Sequence, residues 1–205
     1  MANDQYYTRE PQSASRPVQC DFVWRGREMR FTTDAGVFSK GELDPGSRLL
    51  LDALPEEIAG RVLDMGSGWG AIGVTLAARY PEARITMADV NLRALDLCRE
   101  NLKANHAEAE CLESSGFSAL EGRRFDLVVT NPPIRAGKQV IYAMFADAAK
   151  SLNPGGALYL VIRKQQGAES CEKYLKTLYR CVERVDRSAG YWVLRADEPV
   201  GEEEC

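Results

Sequence analysis

The chain has 205 residues, of which 45% are hydrophobic and 27% charged, and its formal net charge is −4. That composition suits one α/β domain with a full core, and it excludes broad, nonspecific nucleic-acid affinity, which rests on neutralising phosphates. No apolar run approaches the roughly 20 residues of a membrane span, and the start Met1-Ala2-Asn3-Asp4-Gln5 lacks the features of a signal peptide, so a cytoplasmic protein without a membrane partner is expected.

In chain order, residues 1–17 are polar, contain Pro11 and Pro17, and read as a flexible terminus. Strands at 20–24 and 29–33, separated by Arg25-Gly26-Arg27-Glu28, predict a β-hairpin. Residues 34–45 are loop-like, and Ser47 is placed to cap a helix over 48–54. Residues 18–55 therefore form a hairpin and a lid-like segment. After Pro55, strands at 61–65, 84–88, 110–113, 125–130 and 157–163 alternate with helices at 71–79, 92–105, 140–152 and 168–178. Such alternation implies a parallel sheet with right-handed crossovers. Strands at 181–186 and 191–196 are joined only by Arg187-Ser188-Ala189-Gly190, so the sheet should close with an antiparallel hairpin. The expected fold is α/β and Rossmann-like, a seven-stranded mostly parallel sheet over 56–197, followed by an acidic tail over 198–205. One domain and a monomer are expected.

The cysteines, at 20, 98, 111, 171, 181 and 205, show no Cys-x-x-Cys spacing, and the single histidine is His106 at the end of a polar helix. A zinc site of the usual kind and a disulfide framework are not expected, and no metal is assigned. Ser/His/Asp or Cys/His catalysis would have to run through His106. A reaction that needs no strong base fits the inventory better.

The strand at 61–65 runs into Asp64-Met65-Gly66-Ser67-Gly68-Trp69-Gly70-Ala71. Alternate glycines permit a tight strand-to-helix turn and close approach of a ligand to the backbone. The next strand ends in Ala88-Asp89-Val90-Asn91, and an acid about 20 residues past the glycines can accept both hydroxyls of a ribose. Gly66-x-Gly68-x-x-Ala71 also fits a dinucleotide fingerprint, and a purely structural turn would use the same glycines. Asp64 argues against a dinucleotide: a carboxylate ahead of the glycines suits a ligand ammonium and would repel a pyrophosphate.

The strand Asp126-Leu127-Val128-Val129-Thr130 delivers Asn131-Pro132-Pro133-Ile134. Asn131 offers a carbonyl and an amide at a strand end, and two prolines fix the backbone and remove two N–H donors. The result is a rigid edge of acceptors suited to an amino group with two protons to place. In doubly wound sheets ligands lie beyond the carboxyl ends of strands, so neighbouring first and fourth strands would set Asn131 beside the glycine loop. Basic residues at Arg25, Arg27 and Arg30, at Arg135 and Lys138, and at Arg163-Lys164 could hold a phosphate backbone if the strand order brings them to one rim.

Together these motifs resemble the class I S-adenosylmethionine-dependent methyltransferases that modify amino groups, over residues 7–196. Phe31-Thr32-Thr33-Asp34-Ala35-Gly36-Val37-Phe38-Ser39-Lys40-Gly41, Asp44-Pro45-Gly46-Ser47-Arg48-Leu49-Leu50 and Asn131-Pro132-Pro133-Ile134-Arg135-Ala136-Gly137-Lys138 narrow the resemblance. They are similar to the catalytic copy of the RsmC-like enzymes, which act on the guanine exocyclic amine of small-subunit ribosomal RNA. The resemblance implies S-adenosyl-L-methionine as cofactor and ribosomal RNA or the small subunit as partner. It implies that Asp64, Gly66, Ser67 and Gly68 hold the methionine part and Asp89 the ribose, with Val90, Asn91, Ser115 and Phe117 around the adenine. Asn131, Pro132, Pro133 and Ile134 would be catalytic, with Phe38, Lys40, Ser47, Arg135 and Lys138 at the mouth. Ser115 stands where relatives often place an Asp. Ile134 stands where adenine-N6 enzymes place a stacking aromatic, which makes Phe38 the candidate for stacking, with Phe22, Trp24 or Trp69 as alternatives. Rival readings are glutamine methylation of a release factor, which uses Asn-Pro-Pro-Tyr, a small-molecule methyltransferase, and a non-catalytic RNA-binding or assembly module.

Overall fold

Alternation of apolar residues along the central strands gives the sheet two buried faces, and each face receives its own layer of helices. The computed structural model describes residues 8–201; the first seven residues and the last four, which make up half of the expected acidic tail, lie outside the described residues. Strands β1 (Val18–Gln19), β2 (Phe22–Trp24), β3 (Arg27–Met29) and β4 (Thr32–Thr33) precede the main sheet. That sheet holds β5 (Arg61–Met65), β6 (Arg84–Asp89), β7 (Glu110–Glu113), β8 (Phe125–Thr130), β9 (Leu152–Arg163), β10 (Tyr179–Ser188) and β11 (Tyr191–Pro199). Its order is β10-β11-β9-β8-β5-β6-β7, parallel from β7 across to β9, with β11 antiparallel to both neighbours. The seven-stranded class I methyltransferase arrangement read from the sequence is thus present, and the neighbours of β5 include β8 as expected.

The helices are α1 (Pro45–Ala53), α2 (Gly73–Arg79), α3 (Leu92–Ala104), α4 (Lys138–Ser151) and α5 (Ala168–Leu178). Leu127 and Val129 face the core under α1, α2 and α3, while Val128 between them faces the core of Phe145 and Leu175 under α4 and α5. This period of two is what a strand covered on both sides requires. Each fully buried Leu or Phe contributes about 1.5–3 kcal/mol, and some 12 of the largest side chains have under 2% exposure, so no further staple is needed. Among the described residues all five cysteines are free, and no helix is long and apolar enough to cross a membrane. His106, exposed with φ +52°, follows the end of α3, which lies away from the carboxyl ends of the strands.

Several local expectations are corrected. The first hairpin turns on two residues, Arg25 and Gly26, both with positive φ, rather than on four; that is the turn whose twist matches paired strands. The Arg25–Arg30 cluster does not form a phosphate-binding face. Arg25 donates to the carbonyl oxygens of Leu54 (2.7 Å) and Pro55 (3.0 Å), and Arg27 donates to those of Ala78 and Asn105. These guanidiniums satisfy carbonyls at the ends of α1, α2 and α3, where no intrahelical donor remains. Helix α1 begins at Pro45 because Asp44, not Ser47, is its cap: Asp44 Oδ2 accepts from Ser47 N at 3.0 Å, and a proline at the first position is preset for the helix.

Residues 9–16 also differ from a free terminus. The Arg9 carbonyl accepts from Leu92 N (3.0 Å), and its guanidinium meets Glu113 (2.6 Å). Arg93 donates to the carbonyls of Ser13 (2.9 Å) and Ala35 (2.7 Å). The segment is a strap laid over the start of α3 and the end of β7.

Candidate active site

Three strand ends build the site. Thr130 Oγ1 donates to the Met65 carbonyl at 2.7 Å, which ties the end of β8 to the end of β5 and sets Asn131 beside the glycine loop. The loop is held from the far side by Asp89 at the end of β6, whose Oδ2 accepts from Gly68 N and whose Oδ1 accepts from Asn91 N, both at 2.8 Å. Gly68 has φ +55°, a conformation that disfavours a side chain, so its N–H can turn to that carboxylate.

A cavity of about 980 Å³ opens above these ends. Gly66, Gly68, Asp89, Val90, Ser115 and Phe117 line it together with Phe38, Asn131, Pro132 and Pro133. A second chamber of about 30 Å³, room for a single small group, lies deeper between Asp64, Ser67 and Asn131. Phe38, Gly66, Gly68 and Asn131 border both. The expected residues of the glycine loop, the acid pair and the Asn-Pro-Pro edge therefore converge on one place.

Electrostatics give the site its character. Asp64 is buried, and its Oδ2 accepts from Gly73 N at 2.7 Å. Burial pushes its carboxyl up to about 7, the Gly73 hydrogen bond opposes this, and the charge of Asp89 adds to it. Burial also raises Asp89, against the hydrogen bonds it accepts from the backbone of Asn91, Gly68 and Val90. Among the described residues neither carboxylate has an ion-pair partner. Two buried acids without a cation favour a cationic ligand, because an opposite charge relieves the desolvation each suffers.

Asn131 is held by its amide nitrogen. Nδ2 donates to Asp44 Oδ2 (3.0 Å) and to Ser47 Oγ (2.9 Å). Tyr191, at the start of β11, donates its hydroxyl to Asp44 Oδ1 at 3.4 Å, with the Arg163 guanidinium 4.7 Å from its ring centre. Sequence reasoning placed Ser47 at the mouth but overlooked Asp44 and Tyr191. The Asp44-Pro45 pair was the available signal for the first, being an acid directly ahead of a helix-starting proline; nothing local signals Tyr191.

Other expected residues fall outside the cavity. Asn91 is buried as the cap of α3, accepting from Ala94 N (3.1 Å) and donating to the Gly36 carbonyl (2.8 Å). Ile134 packs against the core under α4 and α5. Lys40, Arg135 and Lys138 are exposed, Lys138 lying 5.0 Å from the Tyr142 ring centre. Of the stacking candidates, Trp24 and Trp69 are buried, Phe22 stacks on Phe31 with ring centres 5.1 Å apart, and only Phe38 lines the large cavity. The loop over 114–124 carries no helix, and its Ser115 is exposed toward the cavity.

The chain is 40% identical to the YbxB protein of Bacillus subtilis (strain 168), over 95% of this chain and 98% of that one. It is 37% identical to ribosomal RNA small subunit methyltransferase C of Hahella chejuensis, over 78% of this chain and 50% of that one. Among solved structures it is similar to the T. thermophilus 16S rRNA N2 G1207 methyltransferase RsmC, a complex with AdoMet and guanosine: 34% identity, TM-score 0.80, 92% of this chain and 52% of that one. The chain thus spans about half the length of these methyltransferase C relatives. The sequence model of the methyltransferase small domain matches residues 28–195, and the chain belongs to that family.

Proposed function

We propose that this protein is an S-adenosylmethionine-dependent N-methyltransferase, acting as a monomer in the cytoplasm on guanine N2 of small-subunit ribosomal RNA. The carrying observation is the locked Asn131 amide at the junction of the two chambers, beside a buried acid pair that calls for a cation. The likeness to RsmC bound to AdoMet and guanosine supports the choice of donor and base.

When bound, S-adenosylmethionine supplies an activated sulfonium methyl group. Asp64 fits its ammonium, Asp89 its ribose hydroxyls, and Gly66, Ser67 and Gly68 its methionine portion. Val90, Ser115 and Phe117 fit the adenine. Asn131 Oδ1 and the Pro132 carbonyl would accept hydrogen bonds from the two N–H groups of the target amine, which would orient its nitrogen for attack. As the methyl–nitrogen bond forms and the methyl–sulfur bond breaks, the sulfur would leave as a neutral thioether; the same oxygens would stabilise the charge gained by the nitrogen, whose surplus proton would pass to water. Pro133 holds the turn, Ile134 anchors it to the core, and Phe38 offers a face to the base; stacking of this kind is worth about 1–3 kcal/mol. Lys40, Arg135 and Lys138, with Arg163 and Lys164 at the adjacent end of β9, offer phosphate contacts.

The test is transfer of tritiated methyl groups onto ribosomal RNA or small subunits from a strain lacking the gene, with release factor as control acceptor. Label on RNA, lost by at least about a hundredfold in Asn131→Ala while donor affinity stays close to normal, is the expected outcome. Label on release factor alone, or normal turnover by Asn131→Ala, would sink the reading.

A further inference from the structure

The hydrogen bonds of the Asn131 amide raise a question of polarity. A carboxamide can rotate by half a turn about its last bond, exchanging oxygen for nitrogen with little change of shape. Only one orientation presents an acceptor to an incoming amine; the other presents an N–H donor, which repels it. Ser47 Oγ cannot choose between them, since a hydroxyl both donates and accepts. An ionised carboxylate can only accept, so Asp44 Oδ2 at 3.0 Å forces Nδ2 toward itself and Oδ1 to the opposite branch. Asp44 is itself fixed three times over: it caps α1 through Ser47 N (3.0 Å), it accepts the Tyr191 hydroxyl (3.4 Å), and it starts a helix whose proline sets the backbone. Gly46 makes room for this arrangement, because a Cβ there would lie 2.7 Å from the Tyr191 ring.

We propose that Asp44 is a positioning residue that locks the polarity of the Asn131 carboxamide, so that Oδ1 and never Nδ2 meets the acceptor amine. The proposal rests on the methyltransferase reading above and deepens it. Its negative charge on the nitrogen side also polarises the amide toward a more negative Oδ1, which suits an acceptor that faces a nitrogen gaining positive charge.

Asp44→Ser separates this from a structural part. Ser caps helices as well as Asp does, so fold and melting temperature stay close to normal. What is lost is the acceptor-only group beside the Asn131 amide, since a hydroxyl both donates and accepts. Asp44→Ser is expected to lower kcat about tenfold or more while donor affinity changes less than about twofold. Unchanged kcat in Asp44→Ser overturns the proposal. A second readout needs no acceptor: the Asn131 side-chain amide resonances, identified by their loss in Asn131→Ala, should exchange with solvent about tenfold faster in Asp44→Ser than in the unaltered protein. If the chain methylates something other than RNA, the kcat comparison is made on that acceptor. If it methylates nothing, faster amide exchange still supports the lock and equal exchange rejects it.

Discussion

Asp64 sets the pH at which a cationic ligand is welcome. Its carboxyl stands near 7 in the folded chain against an ordinary 3.8, so the fold disfavours its ionised form. By linkage the folded state holds more protons than the unfolded one between those values, and this group's contribution to stability is present at low pH and lost as pH rises toward about 7. A bound ammonium reverses that preference. Calorimetric affinity for S-adenosylmethionine is therefore expected to rise from pH 5.5 to about 7, then to level and fall as an α-amino group loses its proton near about 7.7–8.0. Asp64→Asn should weaken binding and flatten the rising limb; an equally steep rise in that variant would assign the effect elsewhere, with Asp89 the next candidate. At this scale the sequence was most readable where chemistry is local. Asp64, Gly68, Asp89 and Asn131 sit at strand ends in motifs whose spacing implies their use. Asn91 misled because an Asn one step before a helix serves equally as a cap, and the cap took its side chain.

At the scale of elements, boundaries followed the strength of the pattern. β5, β7, β8 and α5 lie where apolar periodicity and flanking turns predicted them. α2 starts two residues late because Ala71 and Ile72 belong to the loop, and α1 starts early because its cap is Asp44. The strap over residues 9–16 had no periodicity to read, since its order comes from tertiary bonds. Arg93 supplies several of these, to the carbonyls of Pro11, Ser13 and Ala35. Arg93→Ala is expected to release the strap, raising hydrogen exchange and protease cleavage over residues 9–16, at a cost of about 1–2 kcal/mol in stability. Unchanged protection there would show that Arg9 and Asp34, whose Oδ1 accepts from Arg16 N, suffice to hold it.

At the scale of the molecule, charge is segregated. The chain carries a net −4, yet Arg135, Lys138, Arg163 and Lys164 stand exposed where β8 and β9 end side by side. The sequence pattern groups these residues with Arg25 and Arg27; the fold separates them, since those two guanidiniums work at the opposite ends of the helices. The triple variant Arg135→Glu, Lys138→Glu, Lys164→Glu should weaken RNA binding about tenfold or more and reduce its salt dependence, whose slope is about −0.7 per phosphate for single strands. Donor binding should not change. A salt slope equal to that of the unaltered protein would place the RNA elsewhere.

The placement of β11 bears on the order of synthesis. Among the described strands, the last in chain order is not an edge strand; it slots between β9 and β10. Its first residue, Tyr191, bonds to Asp44, 147 positions earlier in the chain. A nascent chain can form β5 to β9 and present an open cavity long before that bond is made. The Asn131 amide gains its full set of supports only when β11 is in place, so the proposed site is completed late in folding rather than along the way.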